Sequence, residues 1–176
     1  MGMTLVLYSV TPEKLEQIEA EPSAVETLYE DDSATVDMTS LDAASAIWTL
    51  DLDKEWDILG YLVDGVGLAG TLDGKTHFIG HMQSSPDRVG VDYGYGVPAV
   101  VRPQSVEHYA AHLEQFDRSA VDARLEPAAV EASDVYCLHA DEAADMKGPW
   151  LQMIDDLQTF LRTSANCGRS VICSMQ

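Results

Sequence analysis

The chain has 176 residues, with 30 Asp or Glu against 10 Lys or Arg, which gives a formal net charge of −20 at pH 7. The hydrophobic fraction of 46% is ordinary for a folded domain, and the length suits one domain with a full core. Nucleic-acid binding needs clustered Lys and Arg, and anionic membrane surfaces repel acidic chains, so the charge argues against both kinds of partner.

Targeting signals and cysteine usage point to one compartment. No apolar run approaches the roughly 18–20 residues of a membrane span, and residues 1–6 lack the basic region and apolar stretch of a secretory signal. The three cysteines, Cys137, Cys167 and Cys173, are an odd number, widely spaced and without a CxxC pair. That pattern is typical of reduced thiols. We therefore expect a cytoplasmic protein.

In chain order, the first elements are a strand and three helices. Residues 4–10 are rich in strand formers, and Thr11-Pro12-Glu13 has the N-cap, first-turn proline and acidic residue of a helix start. A short helix is predicted over residues 24–30, followed by a polar surface loop over residues 31–40. Asp53 is predicted to cap a further helix that runs to about Val63.

The second half of the chain is predicted to be mainly helical. Short β-like pieces such as residues 76–79 come first, then helices starting at Ser105 and over residues 121–125, with Pro127 opening a turn. An amphipathic helix beginning at Gly148-Pro149 is predicted to end at Gly168, followed by a strand over residues 170–174. We therefore predict a single compact α+β domain over residues 1–176. It has a small, mostly antiparallel or mixed sheet packed with several helices, and a long C-terminal helix followed by a terminal strand.

Two short motifs resemble those of proteins that bind or hydrolyse phosphate groups. Gly65-x-Gly67-x-x-Gly70 matches the dinucleotide pattern, but that site needs a strand before it and a helix after it. Here a predicted helix precedes the motif, which favours a plain connection between elements. Asp51-x-Asp53 after an apolar run resembles the start of haloacid-dehalogenase-type phosphatases, but Glu55 and the lack of a later metal-binding motif argue against that chemistry.

Histidine and cysteine patterns do not complete a metal site. His108 and His112 share a helix face, but the position after His108 holds Tyr109 rather than the Glu of a zincin. Cys137 and His139 lack further ligands. His77 and His81 share one face of a predicted strand, an arrangement that is equally compatible with metal ligands and with surface histidines. Nucleophilic catalysis has no sequence signature either. We predict no metal, no cofactor and no catalytic residues.

The best candidates for ligand contact lie in two segments. Tyr93 and Tyr95 stand on a glycine-rich backbone that leads to Arg102, which suits flat aromatic faces at a pocket mouth and a cation for a carboxylate or phosphate. Asp53 and Trp56 are the candidates from the second segment. The alternative is that both tyrosines and Trp56 pack on the core, Arg102 pairs with a local acid, and Asp53 only caps a helix.

The order of segments is similar to that of the YfbM-like family, a group of uncharacterised bacterial proteins classed as a domain of unknown function. The most specific matching element is the Leu-Asp-Lys-Glu-Trp block that ends at Trp56. The other matching pieces are Met1-Gly2-Met3-Thr4, Thr11-Pro12-Glu13, Leu59, Tyr61-Leu62, Gly94-Tyr95-Gly96, residues 103–106, Leu125-Glu126-Pro127 and the terminal helix and strand. The resemblance implies a compact α+β domain and no established reaction. It also implies histidines after Trp56 where this chain has Asp57 and Gly60.

These observations leave two functional hypotheses. Residues 1–60 hold 14 acidic residues against two lysines, so the first is a non-catalytic binding domain whose acidic N-terminal surface, on residues 13–57, binds a basic protein partner. Solubility or adaptation to salty surroundings explains the same acidity. The second hypothesis is a small-ligand-binding protein or enzyme with a pocket near Trp56, Tyr93, Tyr95 and Arg102. The sequence leaves the oligomeric state open.

Overall fold

The two ends of the chain pair at the centre of one antiparallel sheet. A computed structural model describes residues 2–30, 44–67 and 76–176. The sheet order is β2-β1-β4-β3, and Thr4 and Gln176 exchange two backbone hydrogen bonds of 2.9 Å beside the central pair. The strands are β1 (Leu5–Val10), β2 (Ile47–Asp51), β3 (Ala99–Val101) and β4 (Ser170–Met175). This arrangement confirms the predicted α+β class and the terminal strand.

Helices cover both faces of the sheet because its strands bury both sets of alternating side chains. Leu5 and Leu7 of β1 face one apolar core, whereas Val6, Tyr8 and Val10 face the other. The second core is completed by α1 and α2, and the first mainly by α3, α4, α5 and α8. The helices are α1 (Pro12–Ala20), α2 (Glu26–Glu30), α3 (Trp56–Asp64), α4 (Phe78–Gln83), α5 (Pro103–Glu114), α6 (Val121–Arg124), α7 (Pro127–Ser133) and α8 (Ala143–Asn166).

The start of α1 follows the prediction from residues 11–13. The N–H of Lys14 donates to the Thr11 hydroxyl at 3.3 Å, and Pro12 occupies the first helical position, where no backbone donor is needed. The short helix predicted over residues 24–30 is also present, as a 3₁₀ turn over Pro22–Val25 that continues into α2. Local capping chemistry therefore determines this part of the fold.

The predicted cap at Asp53 is wrong. The helix begins at Trp56, and Glu55 stands at its N-cap position without a side-chain bond. Asp53 lies in the preceding turn with a φ of 44°, and its own N–H donates to the Asp51 carboxylate at 2.7 Å. A left-handed backbone conformation, which Asp tolerates better than most residues, carries the chain from β2 into α3.

The β-like reading of residues 76–79 is also wrong. His77 caps the N-terminus of α4, because its Nδ1 accepts the N–H of Gly80 at 3.1 Å. A run of only four residues with aromatic and β-branched side chains does not distinguish a strand from a buried helix. The strand and surface alternatives for His77 therefore both fail, since its side chain is completely buried.

Two prolines were assigned to the wrong places. Pro127 opens α7 rather than a turn, again at the first helical position. The last helix begins at Ala143, so Pro149 lies inside it rather than at its start. The predicted end is confirmed, because α8 stops at Asn166 and Gly168 takes a left-handed φ of 64°.

Some sequence-based expectations lie outside the described residues. These are the surface loop over residues 31–40 and the segment from Gly70 to Gly74. Among the described helices, none combines the length and apolar character that crossing a bilayer requires.

Candidate functional site

A cleft opens beside β4, between the end of α4 and the segment that leads into β3. Its volume is about 630 Å³, and we call it the Tyr95 cleft. A smaller hollow of about 270 Å³ shares Tyr95, Gly96 and Met175 with it. The residues that line the Tyr95 cleft are Met3, Trp56, Gln83, Arg88, Tyr95, Gly96, Val97, Pro98, Cys173 and Met175.

The outer wall of the cleft is a tight loop built on Asp92. Its carboxylate accepts the N–H groups of Gly94 at 2.7 Å and Gly96 at 2.9 Å. Both glycines have positive φ values, 114° and 94°, which other residues adopt only with strain. The loop leaves Tyr93 52% and Tyr95 46% exposed, so two aromatic faces are available to a ligand.

Tyr93 is anchored at both ends. Its hydroxyl donates to Glu26 at 2.8 Å, and its ring meets Tyr29 edge to face at 5.4 Å between centroids. The Tyr29 hydroxyl is hydrogen-bonded to Ser174 at 3.1 Å, and burial raises the pKa of Tyr29 above its usual value. The loop is therefore tied to α2 and to the end of β4 through aromatic contacts.

The inner wall is formed by Trp56. Its side chain is fully buried, its Nε1 donates to the Met3 carbonyl at 3.2 Å, and its ring stacks on Tyr136 at 5.9 Å. The Tyr136 hydroxyl accepts the Met3 N–H at 3.0 Å. Trp56 is thus a core residue, as one of the two alternatives predicted, and its buried ring lies beneath the surface of the cleft.

Behind Trp56 lies a buried Asp57–His77 pair. The Nε2 of His77 is 2.7 Å from an Asp57 carboxylate oxygen, and the two side chains are 0% and 1% exposed. Because the other ring nitrogen accepts from Gly80, Nε2 carries the hydrogen and donates it to Asp57. The second Asp57 oxygen accepts the N–H of Tyr136 at 2.7 Å. The pair links α3, α4 and the segment at Tyr136.

Sequence analysis missed this pair. It treated Asp57 as one of the acids of the N-terminal surface, but the structure buries it in the core. The resemblance to the YfbM-like family implied a histidine at position 60, where this chain has Gly60. The ring of His77 lies directly against that glycine, so position 77 supplies an imidazole to the same region. Gly60, which leaves room for the His77 ring, is the sequence feature that pointed to this buried pair.

Arg88 provides the positive charge of the cleft. Its Nη1 donates to the Val97 carbonyl at 3.1 Å, and it makes no ion pair with any carboxylate in the described part of the chain. Cys173 lines the same cleft, and burial raises the pKa of its thiol to about 12 despite the opposing effect of Arg88. At neutral pH this sulfur is a thiol rather than a nucleophilic thiolate.

The structure brings Trp56, Tyr93 and Tyr95 together around the two hollows but places Arg102 and Asp53 elsewhere. Arg102 donates to Asp87 and to Glu19, each at 2.8 Å, and the two carboxylates raise its pKa. Asp53 is exposed in the turn before α3 and lines neither hollow. The cation near the aromatic residues is Arg88, which sequence analysis did not select.

The histidine-rich end of α5 has a different organisation. The Nε2 of His112 is 2.7 Å from an Asp64 oxygen, and its ring lies against Phe78 at 5.6 Å. His108 instead contacts the ring of Tyr109. Within residues 2–30, 44–67 and 76–176, no three His, Cys, Asp or Glu side chains are arranged to hold a metal ion.

Comparisons with known proteins identify the family and the fold. The family model described as "Domain of unknown function (DUF1877)" matches residues 1–174. The crystal structure of YfbM from Escherichia coli, a protein of unknown function, matches with a TM-score of 0.66 and 14% sequence identity. That match covers 98% of this chain and 99% of YfbM, so the two share a fold over their whole lengths. No curated protein matches this chain. These findings confirm the resemblance to the YfbM-like family.

Proposed function

Because the chain belongs to the DUF1877 family, a domain of unknown function, we propose its function from its own geometry: it binds a small molecule in the Tyr95 cleft. This proposal develops the small-ligand hypothesis, with Arg88 in the position that sequence analysis gave to Arg102. Tyr95 provides an exposed aromatic wall, and Arg88 provides a charged contact.

The observation that carries the proposal is the composition of the cleft. Its volume of about 630 Å³ falls within the range of roughly 300–1,000 Å³ typical of ligand sites. Such sites are mostly apolar and contain a few polar groups that orient the ligand. The Tyr95 cleft has that composition, with Met3, Val97 and Met175 beside the polar side chains of Gln83 and Arg88.

We propose binding rather than covalent catalysis in this cleft. Among the described lining residues Cys173 has the side chain best suited to nucleophilic attack, and its pKa of about 12 keeps its sulfur protonated at neutral pH. The Asp57–His77 pair lies behind Trp56, is inaccessible to solvent, and has its polar atoms hydrogen-bonded within the protein. We therefore assign that pair a structural role.

Protein-observed NMR with a library of small aromatic fragments tests the proposal. We expect fragments to shift the backbone signals of Tyr95, Gly96 and Met175 together, with weakened binding in Tyr95→Ala. Tyr95→Phe is the matched control, because it keeps the ring face and loses only the hydroxyl. The proposal fails if no fragment perturbs these signals, or if Tyr95→Ala binds the cleft fragments as well as the wild-type protein does.

A second candidate function rests on the exposed face of α1. Glu13 and Glu16 are exposed there, with Lys14 as the nearby cation in the sequence. We propose that this acidic face binds a basic protein partner, as the acidic N-terminal third of the sequence suggested. A cytoplasmic setting is part of this proposal and is supported by the three free cysteines.

Pull-down from the native host at low and high salt tests the second candidate. We expect a basic protein to be retained at low salt, released at high salt, and lost when Glu13 and Glu16 are both changed to Gln. The control carries Glu107→Gln and Glu131→Gln, which remove the same charge from exposed sites on α5 and α7. Equal retention by the two double variants would rule out recognition by α1.

A further inference from the structure

Within the described part of the chain, Arg88 has no carboxylate partner, unlike three of the other five arginines. Arg102 pairs with Glu19 and Asp87, Arg118 pairs with Asp155, and Arg162 pairs with Glu114. With 30 acidic residues against 10 basic ones, an acidic neighbour is the expected environment of a cation in this protein. Arg88 instead makes one hydrogen bond to the Val97 carbonyl, so most of its five donors have no protein acceptor in the described structure.

Among the residues that the structure describes, none of those lining the Tyr95 cleft is acidic. Among its ten lining residues Arg88 is the one with a formal charge, although the chain as a whole carries −20. The side-chain amide nitrogen of Gln83, which lines the same cleft, is buried and has no hydrogen-bond partner among the described residues. The Arg88 guanidinium has no carboxylate partner and the Gln83 amide has no acceptor within the described structure. Both observations favour a negatively charged, hydrogen-bond-accepting group on the ligand.

The number of negative charges on the ligand follows from the charges of the cleft and of the whole protein. One guanidinium balances one negative charge, and the net charge of −20 repels ligands that carry several. A phosphate dianion or a nucleotide would need further cations, and the described lining holds none besides Arg88. A planar carboxylate carries a single charge and matches the planar fork of an arginine.

We propose that the ligand of the Tyr95 cleft is an organic monocarboxylate with an apolar or aromatic body. The carboxylate binds Arg88, with the Gln83 amide as a second donor, and the body lies against Tyr95 and the methionines Met3 and Met175. Flexible methionine side chains adapt to the outline of the body. This assignment rests on the proposed function, because it names the chemical class of the molecule that the cleft binds.

Matched pairs of aromatic carboxylates and their primary amides test the assignment. Each pair, such as 1-naphthoate and 1-naphthamide, has the same body and differs in charge. We expect carboxylates to bind the wild-type cleft roughly tenfold more tightly than their amides, as one charge-assisted contact predicts. In Arg88→Gln the preference should disappear while amide binding stays unchanged. Arg118→Gln, which removes a paired and exposed guanidinium elsewhere, should keep the preference.

The outcomes separate the two proposals. If fragments bind the cleft but carboxylates have no advantage over amides, or keep their advantage in Arg88→Gln, the carboxylate assignment is wrong while the binding cleft stands. If neither member of any pair shifts the signals of Tyr95, Gly96 and Met175, the proposed function itself fails. A preference that weakens with added salt, and that disappears only with Arg88, supports both proposals.

Discussion

The imidazole of His77 occupies the space directly beside Gly60. A β-carbon at position 60 would lie 2.2 Å from the Nδ1 atom of His77, far inside van der Waals contact. The ring is held in place by Gly80 on one side and Asp57 on the other, so it has no room to withdraw. Histidine at position 77 therefore requires glycine at position 60, although 16 residues separate them in the sequence.

The first prediction concerns this contact. Gly60→Ala should destabilise the protein by about 2–3 kcal/mol, because overpacking forces a rigid neighbour to move. Gly148→Ala is the matched control: that glycine is exposed in α8 with no atom within 4 Å of its ideal β-carbon, and alanine there should stabilise by about 0.5–1 kcal/mol. Urea unfolding followed by circular dichroism measures both. Equal effects of the two substitutions would contradict the close contact.

The second prediction concerns the buried carboxylate of Asp57. One of its oxygens accepts from His77 and the other from the N–H of Tyr136, so both must be acceptors. Asp57→Asn replaces one acceptor by an NH₂ group that faces a donor, and we expect a loss of about 1–3 kcal/mol. Asp53→Asn, in an exposed turn, should change the unfolding free energy by no more than about 0.5 kcal/mol. A loss from Asp57→Asn no larger than that control would show that the pair does not hold α3 and α4 together.

The third prediction concerns the cysteines and pH. Burial raises the pKa of Cys173 to about 12, whereas Cys167 is exposed. At pH 8 a thiol reagent should modify Cys167 quickly and Cys173 only after unfolding, and mass spectrometry of the peptides distinguishes them. An unfolded thiol ionises near pH 8.5, well below the raised pKa of Cys173, so the folded state holds its proton more tightly. The stability contributed by Cys173 is therefore complete below about pH 8.5 and is lost as the pH rises toward 12. Rapid native labelling of Cys173 would contradict its burial.

The fourth prediction concerns Arg102, which sequence analysis selected as a ligand contact. It is 44% exposed and pairs with two exposed acids, so Arg102→Gln should cost no more than about 1 kcal/mol. Ligand binding in the Tyr95 cleft should be unchanged, because Arg102 does not line it. Titrations of Arg102→Gln and Arg88→Gln with the aromatic carboxylates compare the effects of the two substitutions on cleft binding. Loss of cleft binding in Arg102→Gln with binding retained in Arg88→Gln would reverse the roles of the two arginines.

Predictions from the sequence were most accurate where short-range chemistry decides the structure. The cap at Thr11, the proline after it and the end of α8 near Gly168 depend on neighbouring residues and were correct. The start of α8 and the state of residues 76–79 depend on packing against other elements, and both were predicted wrongly. The strand β3 has only three residues and pairs with the distant β4, so its local signal is weak.

For the candidate site, the sequence indicated which kinds of side chain take part but not which residues lie next to one another in space. The glycine-rich loop with Tyr93 and Tyr95 was recognised because left-handed glycines and exposed aromatic residues leave a local pattern. Sequence analysis chose Arg102, which follows the two tyrosines, although Arg88 stands as close to them in the sequence. Which arginine meets a carboxylate depends on α1 and on the segment at Asp87, which approach one another only after the sheet has formed.

The net charge, the α+β class, the start of α1 and the end of α8 were thus determined by the sequence alone, since composition, periodicity and capping act over a few residues. Only the tertiary structure shows that Asp57 is the buried partner of His77 and that the His77 ring packs against Gly60. It also shows that Arg88 lies in the cleft without a carboxylate partner among the described residues. These pairings join residues far apart in the chain, and their energies depend on burial and distance, which arise only when the sheet and its helices pack together.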